Sequence, residues 1–348
     1  MKQVSIRACE SYDYDVFRKS FEKMIEDIGG LGKFVKEGSK VVIKPNLVIK
    51  KHPEEGATTH PVLVRIVCEE LLKLNCEVII AESPGGPYNK SNLKGFYKTC
   101  GLIDELSDLD IKFNYDTSEV QVHNDDAVYL KTMEVIKPID DVINLCKLKT
   151  HKMAKYTGGV KNLYGVIPGL KKAEIHYRFQ KEELFCENVL LDICDYVKPS
   201  LTIMDGVYAM EGEGPTAGDV RKVGVLIASE SPHALDIAGC KLINLDPMKV
   251  GTVRGSIKRN LIKDDFDEIT VKAFFHESSG YVSRVGAESS TTRSKPMPSL
   301  LCTIDEGNKL IRNDVLSFSG KEYIVSEIKD VNELGIFYDV SLEEVQNG

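Results

Sequence analysis

Six basic side chains fall within fifteen residues near the middle of the chain: Lys147, Lys149, His151, Lys152, Lys155 and Lys161. Small or donor-bearing residues stand among and beside them, namely Thr150, Thr157, Gly158, Gly159 and Asn162. Glycines let the backbone approach a ligand closely, and ammonium groups match phosphate or carboxylate as point charges. The segment therefore predicts an anion-binding loop, with a solvated basic loop as the alternative.

The basic segment is not accompanied by a nucleotide or hydrolase motif. The sequence lacks the P-loop and the dinucleotide fingerprint, so no specific nucleotide is indicated. It also lacks the serine and cysteine nucleophile motifs and the His-Glu-x-x-His helix of zinc enzymes. No reaction type is indicated by the sequence. In the leading hypothesis His151 or His60 is the acid/base group, and lysines stabilise developing negative charge.

Alternating apolar runs and helical repeats indicate the elements that position these residues. Apolar runs at 41–43, 78–81 and 142–145 predict buried strands, and apolar residues recur at helical spacing over 16–28 and 64–72. Strands that alternate with helices predict a mostly parallel twisted sheet flanked by helices, an α/β fold. The polar, glycine-rich sequence after Leu145 is expected to leave the strand.

Ligands of such sheets collect at the carboxyl ends of the strands. Several candidate residues directly follow predicted strands: Lys44, Asn46, Glu82, Ser83, Gly85, Gly86, Lys147, Lys149 and His151. Lys44, Lys149 and Lys161 would clamp the anion, and Glu82 is a candidate acid/base group. For each residue alone, helix capping or turn formation is the alternative, so convergence on one rim is what the functional interpretation requires.

Acidic residues form a second group of candidates. Asp205 ends a predicted strand, and Glu211 and Asp219 flank a glycine-rich segment. Together these carboxylates could hold a hard divalent cation such as magnesium. The alternative is a turn-rich surface loop, because the spacing of a calcium loop is absent.

Composition limits the class of protein. The 348 residues carry a net charge of -8, which opposes binding to nucleic acid. No apolar run approaches the roughly 20 residues of a membrane span, and no signal-peptide core follows Met1, so a cytoplasmic location is expected. Nine scattered cysteines, without a Cys-x-x-Cys pair, are typical of reduced core thiols. Composition then shifts near Ser278, and we predict an α/β domain over 1–275 and a linker with a small β-rich unit over 276–348.

The ordered motifs resemble the family called domain of unknown function 362 (DUF 362) over roughly residues 4 to 275. The resemblance is carried by Val-Val-Ile-Lys-Pro-Asn-Leu at 41–47, Thr-Thr-His-Pro at 58–61, Ala-Glu-Ser-Pro-Gly-Gly at 81–86, the segments 144–151 and 158–162, Met-Asp-Gly at 204–206 and the acidic segment 211–219. Many members of the family that this chain resembles carry a ferredoxin-type cassette for [4Fe-4S] clusters after this domain. This chain departs from that pattern, because its C-terminal region has the single Cys302.

Three functional hypotheses follow. The leading one is an enzyme that acts on a small anionic metabolite bearing carboxylate or phosphate, with or without a divalent metal. The second is a redox accessory protein that works with a ferredoxin-like partner, and the third is a module that binds an anionic metabolite without turnover. A racemase-like enzyme with a metal-pincer cofactor is a weaker alternative. The sequence leaves a homo-oligomer open and predicts no nucleic-acid or membrane partner.

Overall fold

A computed structural model describes residues 3–138 and 141–263, together with the backbone of five later strands, and the chain divides into two compact units. The first comprises residues 1–241 and 245–269, and the second comprises 242–244 and 270–348. No helix in the described ranges is both long and apolar enough to cross a membrane.

The first unit is built on an eight-stranded sheet with the order β1-β10-β9-β7-β2-β3-β4, in which β8 pairs with β7. Neighbours from β9 to β4 run parallel, and the contacts of β10 with β9, of β1 with β10 and of β8 with β7 are antiparallel. The strands are β1 Val4–Ala8, β2 Lys40–Lys44, β3 Glu77–Ile80, β4 Lys112–Phe113, β7 Val142–His151, β8 Lys155–Thr157, β9 Leu201–Glu211 and β10 Asp219–Ser229. The predicted α/β class with a mostly parallel sheet is confirmed.

Helices cover both faces of this sheet. They are α1 Tyr14–Asp27, α2 Pro61–Lys73, α3 Lys90–Thr99, α4 Leu102–Glu105, α5 Gly159–Asn162, α6 Lys171–Arg178, α7 Glu182–Leu184, α8 Leu190–Val197, α9 Pro232–Leu242 and α10 Gly251–Lys258, and a π-helical turn over Phe185–Val189 joins α7 to α8. Within β2, Val41 and Ile43 pack with α1 and α2, whereas Val42 packs with α8 on the opposite face. This alternation follows from the two-residue period of a strand.

The start of α2 agrees with the sequence. His60 is the N-cap, and its Nδ1 accepts a hydrogen bond of 3.3 Å from Val62 N–H. Pro61 occupies the first helical position, where the missing N–H has no partner to lose. The residues of this motif are therefore explained by the helix that they begin.

The central strand is longer than the sequence predicts. We expected it to end at Leu145, but β7 continues to His151. Lys147 and Lys149 lie inside the strand with 0% and 1% of their surface exposed. Hydrogen bonds to both ammonium groups make this burial possible. Likewise β9 and β10 extend into the segment predicted as an acidic loop, and Glu211 pairs with Asp219 across the two strands.

An insertion separates β3 from β7. The short strand β4 adds to the edge of the main sheet parallel to β3, and β5 Glu119–His123 forms an antiparallel hairpin with β6 Thr132–Ile136. The alternating runs at 111–115 and 128–136 predict an antiparallel insertion or a sheet edge. The structure contains both.

The second unit contains a five-stranded antiparallel sheet with the order β11-β12-β15-β14-β13. Its strands are β11 Phe274–Ser278, β12 Met297–Thr303, β13 Val315–Phe318, β14 Lys321–Asp330 and β15 Phe337–Glu344. Composition predicts a linker over 278–298, and an apolar run predicts a strand over 269–274. Both segments lie mostly outside the described residues.

Candidate anion site

The first pair of predicted site residues meets where β2 and β3 end. Lys44 Nζ forms a close ion pair with Glu82, and both side chains are almost fully buried. Burial lowers the pKa of Lys44 and raises the pKa of Glu82, while their mutual attraction opposes both shifts. Gly165 lies so close to the pair that any larger side chain there would collide with both residues. The glycine therefore brings a second backbone segment onto the strand ends.

An amide network joins three segments beside this pair. Asn46 Nδ2 donates to Asn162 Oδ1 at 2.9 Å, and Asn162 Nδ2 donates to Asn144 Oδ1 at 2.7 Å. Lys149 Nζ donates to Asn46 Oδ1 at 3.0 Å and to Ala57 O at 2.6 Å. Since the amides satisfy one another, they hold the end of β2, the middle of β7 and α5 in a fixed arrangement.

A third lysine, Lys172 on α6, contacts the loop after β3. Lys172 Nζ donates to Ser83 O at 2.5 Å and to Ile167 O at 2.6 Å, and Ser83 Oγ accepts from Gly169 N–H at 2.8 Å. Burial lowers the pKa of Lys172 to about 7, an effect that Lys44 and Lys161 add to and Glu82 opposes. The loop after β3 is therefore held to α6 through Lys172, which is only partly protonated near pH 7.

Lys161 is the lysine of this site that has neither a counter-ion nor a hydrogen-bond acceptor within the described part of the chain. Among the residues that the structure describes, no carboxylate or hydrogen-bond acceptor pairs with its Nζ, which lies 6.0 Å from the centre of the Tyr164 ring. Burial lowers the pKa of Lys161 to about 8, although the residue is partly accessible to solvent. Its positive charge also lowers the pKa of Lys149, of Lys172 and of two histidines. Lys161 therefore lies at the centre of the group.

The two histidines are His151, at the end of β7, and His176, on α6. Burial lowers the pKa of His151 to about 3, helped by Lys161, Lys149 and His176, and lowers the pKa of His176 to about 4, helped by Lys161. The His176 ring packs against Tyr164 and Phe185, with ring centres 5.4 Å and 4.2 Å away. Both rings are therefore neutral near pH 7, and both are partly accessible.

We call these seven residues the cationic cluster: Lys44, Glu82, Lys149, His151, Lys161, Lys172 and His176. Lys44, Lys149 and Lys172 act on the one carboxylate of the cluster, Glu82, and Lys161 is the fourth lysine. Burial makes each of the four ammonium groups unfavourable. A bound anion would relieve that cost. The structure brings Lys44, Glu82, Lys149 and His151 together near the strand ends, with Lys161 of α5 beside them and Asn46, Asn162 and Ser83 as supports.

A separate polar group lies at the junction of β7 and β9. Lys147 Nζ donates to Asp205 Oδ2 and to the Tyr12 hydroxyl, each at 2.8 Å, and Tyr12 donates to Asp205 Oδ1 at 2.7 Å. The His60 ring stacks on Tyr12 with centres 3.5 Å apart, and burial lowers the pKa of His60 to about 4. We call Tyr12, His60, Lys147 and Asp205 the closed pair group. His60 and Lys147, predicted as site residues, therefore have structural partners here.

The three carboxylates predicted to bind metal do not come together. Asp205 is fully buried in the closed pair group, and Glu211 lies six residues further along β9, roughly 20 Å of extended chain away. Glu211 is exposed and pairs with Arg221 at 2.9 Å. Within the described ranges, no three His, Cys, Asp or Glu side chains could hold a metal ion together. These residues do not fit a metal site.

Several backbone groups that were predicted to contact an anion are hydrogen-bonded within the protein instead. Asp236 accepts from Gly159 N–H at 2.5 Å and from Val160 N–H at 3.1 Å, and no side chain larger than a hydrogen fits at Gly158 beside it. These glycines therefore make room for a carboxylate of the chain itself. Thr150 Oγ1 donates to Gly212 O at 3.0 Å, which ties it to the β9–β10 hairpin.

The remaining predicted glycines, Gly85 and Gly86, lie in an exposed loop after Ser83. The carbonyl of Gly86 touches Gly169, where a side chain would collide with it. These glycines position the loop against the backbone that leads into α6.

Comparison with known proteins places this architecture in a family. A family model described as "Domain of unknown function (DUF362)" matches residues 41–241, well over half of the chain. The chain belongs to the DUF362 family. It is also 32% identical over 254 residues to "Thylakoid-associated protein sll1697" of Synechocystis sp., an alignment that covers 73% of this chain and 78% of that protein. The family resemblance identified from the motifs is thus confirmed.

All seven residues of the cationic cluster lie inside the segment matched by the DUF362 model. Sequence reasoning missed two of them, Lys172 and His176. They are four residues apart on α6, a spacing that puts both on one helix face. That spacing, directly after the basic segment, was the available signal.

Two other features of this DUF362 domain bear on the alternatives. The eight cysteines of the described ranges are all buried free thiols, and burial raises the pKa of Cys186, whose thiol interacts with Lys161, to about 12. A shallow depression lined by Tyr14, Arg18, Glu69, Leu72 and Lys73 lies between α1 and α2. The charged side chains that line this depression form ion pairs, as Arg18 does with Glu69 at 2.8 Å. We therefore do not consider it a candidate anion site.

Proposed function

We propose that this DUF362 protein is an enzyme that acts on a small anionic substrate, a carboxylate or phosphate compound, bound at the cationic cluster. The observation that carries the proposal is the imbalance of charge: the cluster holds four lysines and one carboxylate, Glu82, and Lys161 lacks an acceptor among the described residues. Buried ammonium groups without a partner are unfavourable. An anion at Lys161 would complete the arrangement.

The pKa values support catalysis as well as binding. Burial brings the pKa of Lys172 to about 7 and the pKa of Lys161 to about 8. Groups that exchange protons most effectively have pKa values near the working pH. A lysine in this range can transfer a proton or stabilise charge that develops on the substrate. Lys44 and Lys149 would supply the fixed positive field.

Binding is tested with inorganic probes. Sulfate and phosphate should raise the melting temperature of the full-length protein at pH 7 by about 2 °C or more once their concentration is well above Kd. Lys161→Met should abolish this increase. The matched control is Lys152→Met, because Lys152 belongs to the same basic segment but is exposed and pairs with Glu213. Equal stabilisation of all three proteins would overturn the site assignment.

Turnover is tested with a defined mixture of small carboxylates and phosphate monoesters, followed by mass spectrometry. Wild-type protein should deplete one compound and form another, and Lys161→Met should lose the conversion while Lys152→Met keeps it. Stabilisation by sulfate without any conversion across such mixtures would favour a binding module instead.

A cytoplasmic location is part of the proposal. The Synechocystis relative is named as thylakoid-associated, so attachment to a membrane surface is the alternative for this chain. Fractionation of cells that express the full chain separates the two. Recovery in the membrane pellet that resists a salt wash would contradict the cytoplasmic assignment.

A further inference from the structure

The orientation of the His151 ring fixes where its proton lies. Nδ1 accepts hydrogen bonds from two backbone N–H groups, those of Met153 at 3.2 Å and Ala154 at 3.1 Å. A nitrogen that accepts in this way carries no proton. The flipped ring would turn a carbon, which cannot accept, towards both donors. In the neutral ring the proton is therefore on Nε2.

The surroundings of His151 keep the ring neutral. The charged or titratable groups that act on it are Lys161, Lys149 and His176, and all of them disfavour a second proton. Burial acts in the same direction. No carboxylate is among these neighbours, so nothing at this position stabilises an imidazolium.

The other ring nitrogen is available to a ligand. Among the described residues, no protein group forms a hydrogen bond with His151 Nε2, and the ring is partly accessible to solvent. Lys161 Nζ, whose charge acts most strongly on the ring, also has no acceptor. Two donors without acceptors thus occupy one neighbourhood, one of them neutral and the other charged.

We propose that His151 donates a fixed, neutral hydrogen bond through Nε2–H to an oxygen atom of the anionic substrate, while Lys161 supplies the opposite charge. The inference rests on the proposed function, and it changes the role expected from the sequence. His151 cannot act as a general base, because Nδ1 is occupied by the backbone and Nε2 already carries a proton. A neutral N–H donor of this kind stabilises an oxygen on which negative charge develops.

Nuclear magnetic resonance of full-length protein labelled with 15N-histidine tests the tautomer without any ligand. The His151 signals, assigned by their absence in His151→Gln, should show a protonated Nε2 and a bare Nδ1, and they should not titrate between pH 5 and 8. A proton on Nδ1, or a titration midpoint near pH 6.5, would overturn the inference. Neither result would affect anion binding by Lys161, so the failure of this proposal is distinct from that of the function.

Sulfate affinity at pH 7 tests the donor role. His151→Ala should weaken binding by about tenfold, the effect expected for one hydrogen bond to a charged ligand. His151→Gln, whose side-chain amide can still donate, should recover most of that loss. The control is His60→Asn. His60 lies outside the cationic cluster, and its Nδ1 also accepts from a backbone N–H. Asparagine keeps a side chain that can cap α2. An equal loss in the alanine and glutamine variants, or an unchanged affinity in both, would contradict the donor role.

Discussion

Two groups of buried lysines lie at the carboxyl edge of the same sheet, and their charges are balanced in different ways. In the closed pair group, Lys147 meets Asp205 at 2.8 Å and Tyr12 bonds to both, so every charge has a fixed partner. In the cationic cluster, three lysines act on Glu82, and Lys161 has no acceptor within the described ranges. The first arrangement stabilises the fold, and in the proposed function an anion completes the second.

The two groups also differ in exposure. Lys147 and Asp205 are 0% exposed, whereas Lys161, Lys172, His151 and His176 are partly accessible. Lys147 of the closed pair group and Lys149 of the cationic cluster are two positions apart on β7. Their side chains therefore lie on the same face of that strand. Burial alone therefore does not mark a functional lysine in this protein. The distinguishing features are the missing counter-ion and the access to solvent.

The largest expected effect comes from breaking the closed pair group. Asp205→Asn removes the carboxylate and leaves the Lys147 ammonium buried without a counter-ion. We expect the free energy of unfolding to fall by about 3–5 kcal/mol, as for other broken buried pairs. Denaturant unfolding measures the change. Asp219→Asn, at an exposed position, is the control and should differ from wild type by less than about 0.5 kcal/mol. A similarly small loss in Asp205→Asn would remove the distinction between the two groups.

The corresponding change in the cationic cluster should not destabilise the protein. Lys161→Met removes an ammonium group that has no acceptor among the described residues and keeps the length of the apolar stem. Without added anion, we expect stability equal to or above that of wild type, within about 1 kcal/mol. The same denaturant experiment checks this. A loss as large as that of Asp205→Asn would mean that Lys161 has a structural partner after all.

The pH dependence of stability gives a smaller but more specific test. The folded-state pKa values of Lys172 and Lys161, about 7 and about 8, lie below the ordinary lysine value of 10.5. Between these values the unfolded chain binds more protons than the folded protein, so this contribution to stability increases as pH rises from about 7 towards 10. The stability difference between Lys172→Met and wild type should therefore shift in favour of wild type as pH rises. A difference that stays constant over this range would contradict the lowered pKa.

The sequence predicts the parts of the fold and site that depend on local patterns. Apolar runs and helical spacing were sufficient for the parallel sheet, and the position of Lys44, Glu82 and His151 after strands was sufficient for their convergence. The sequence could not separate Lys147 from Lys149, since both are lysines on one strand. The difference depends on Asp205 and Tyr12, which lie 58 and 135 residues away along the chain.

Partners distant in sequence explain the other errors too. Gly158 and Gly159 have the composition of an anion-binding loop. The carboxylate of Asp236, 77 residues beyond Gly159, occupies the position expected for the anion at the start of α5. Asp205, Glu211 and Asp219 are close in sequence, but the extended strand β9 separates Asp205 from Glu211 and from its cross-strand partner Asp219. Lys172 and His176 join the cluster because α6 folds back over the strand ends, a tertiary contact that no local pattern specifies.

The central claim is that Lys161 and Lys172 become fully protonated when an anion binds at the cationic cluster. Isothermal titration of the full-length protein with sulfate at pH 8, in two buffers of different ionisation enthalpy, tests it most directly because sulfate itself takes up no proton. With pKa values of about 8 for Lys161 and about 7 for Lys172, binding should take up roughly one proton, and the observed heat should differ between the buffers accordingly. Binding with the same heat in both buffers would contradict the account.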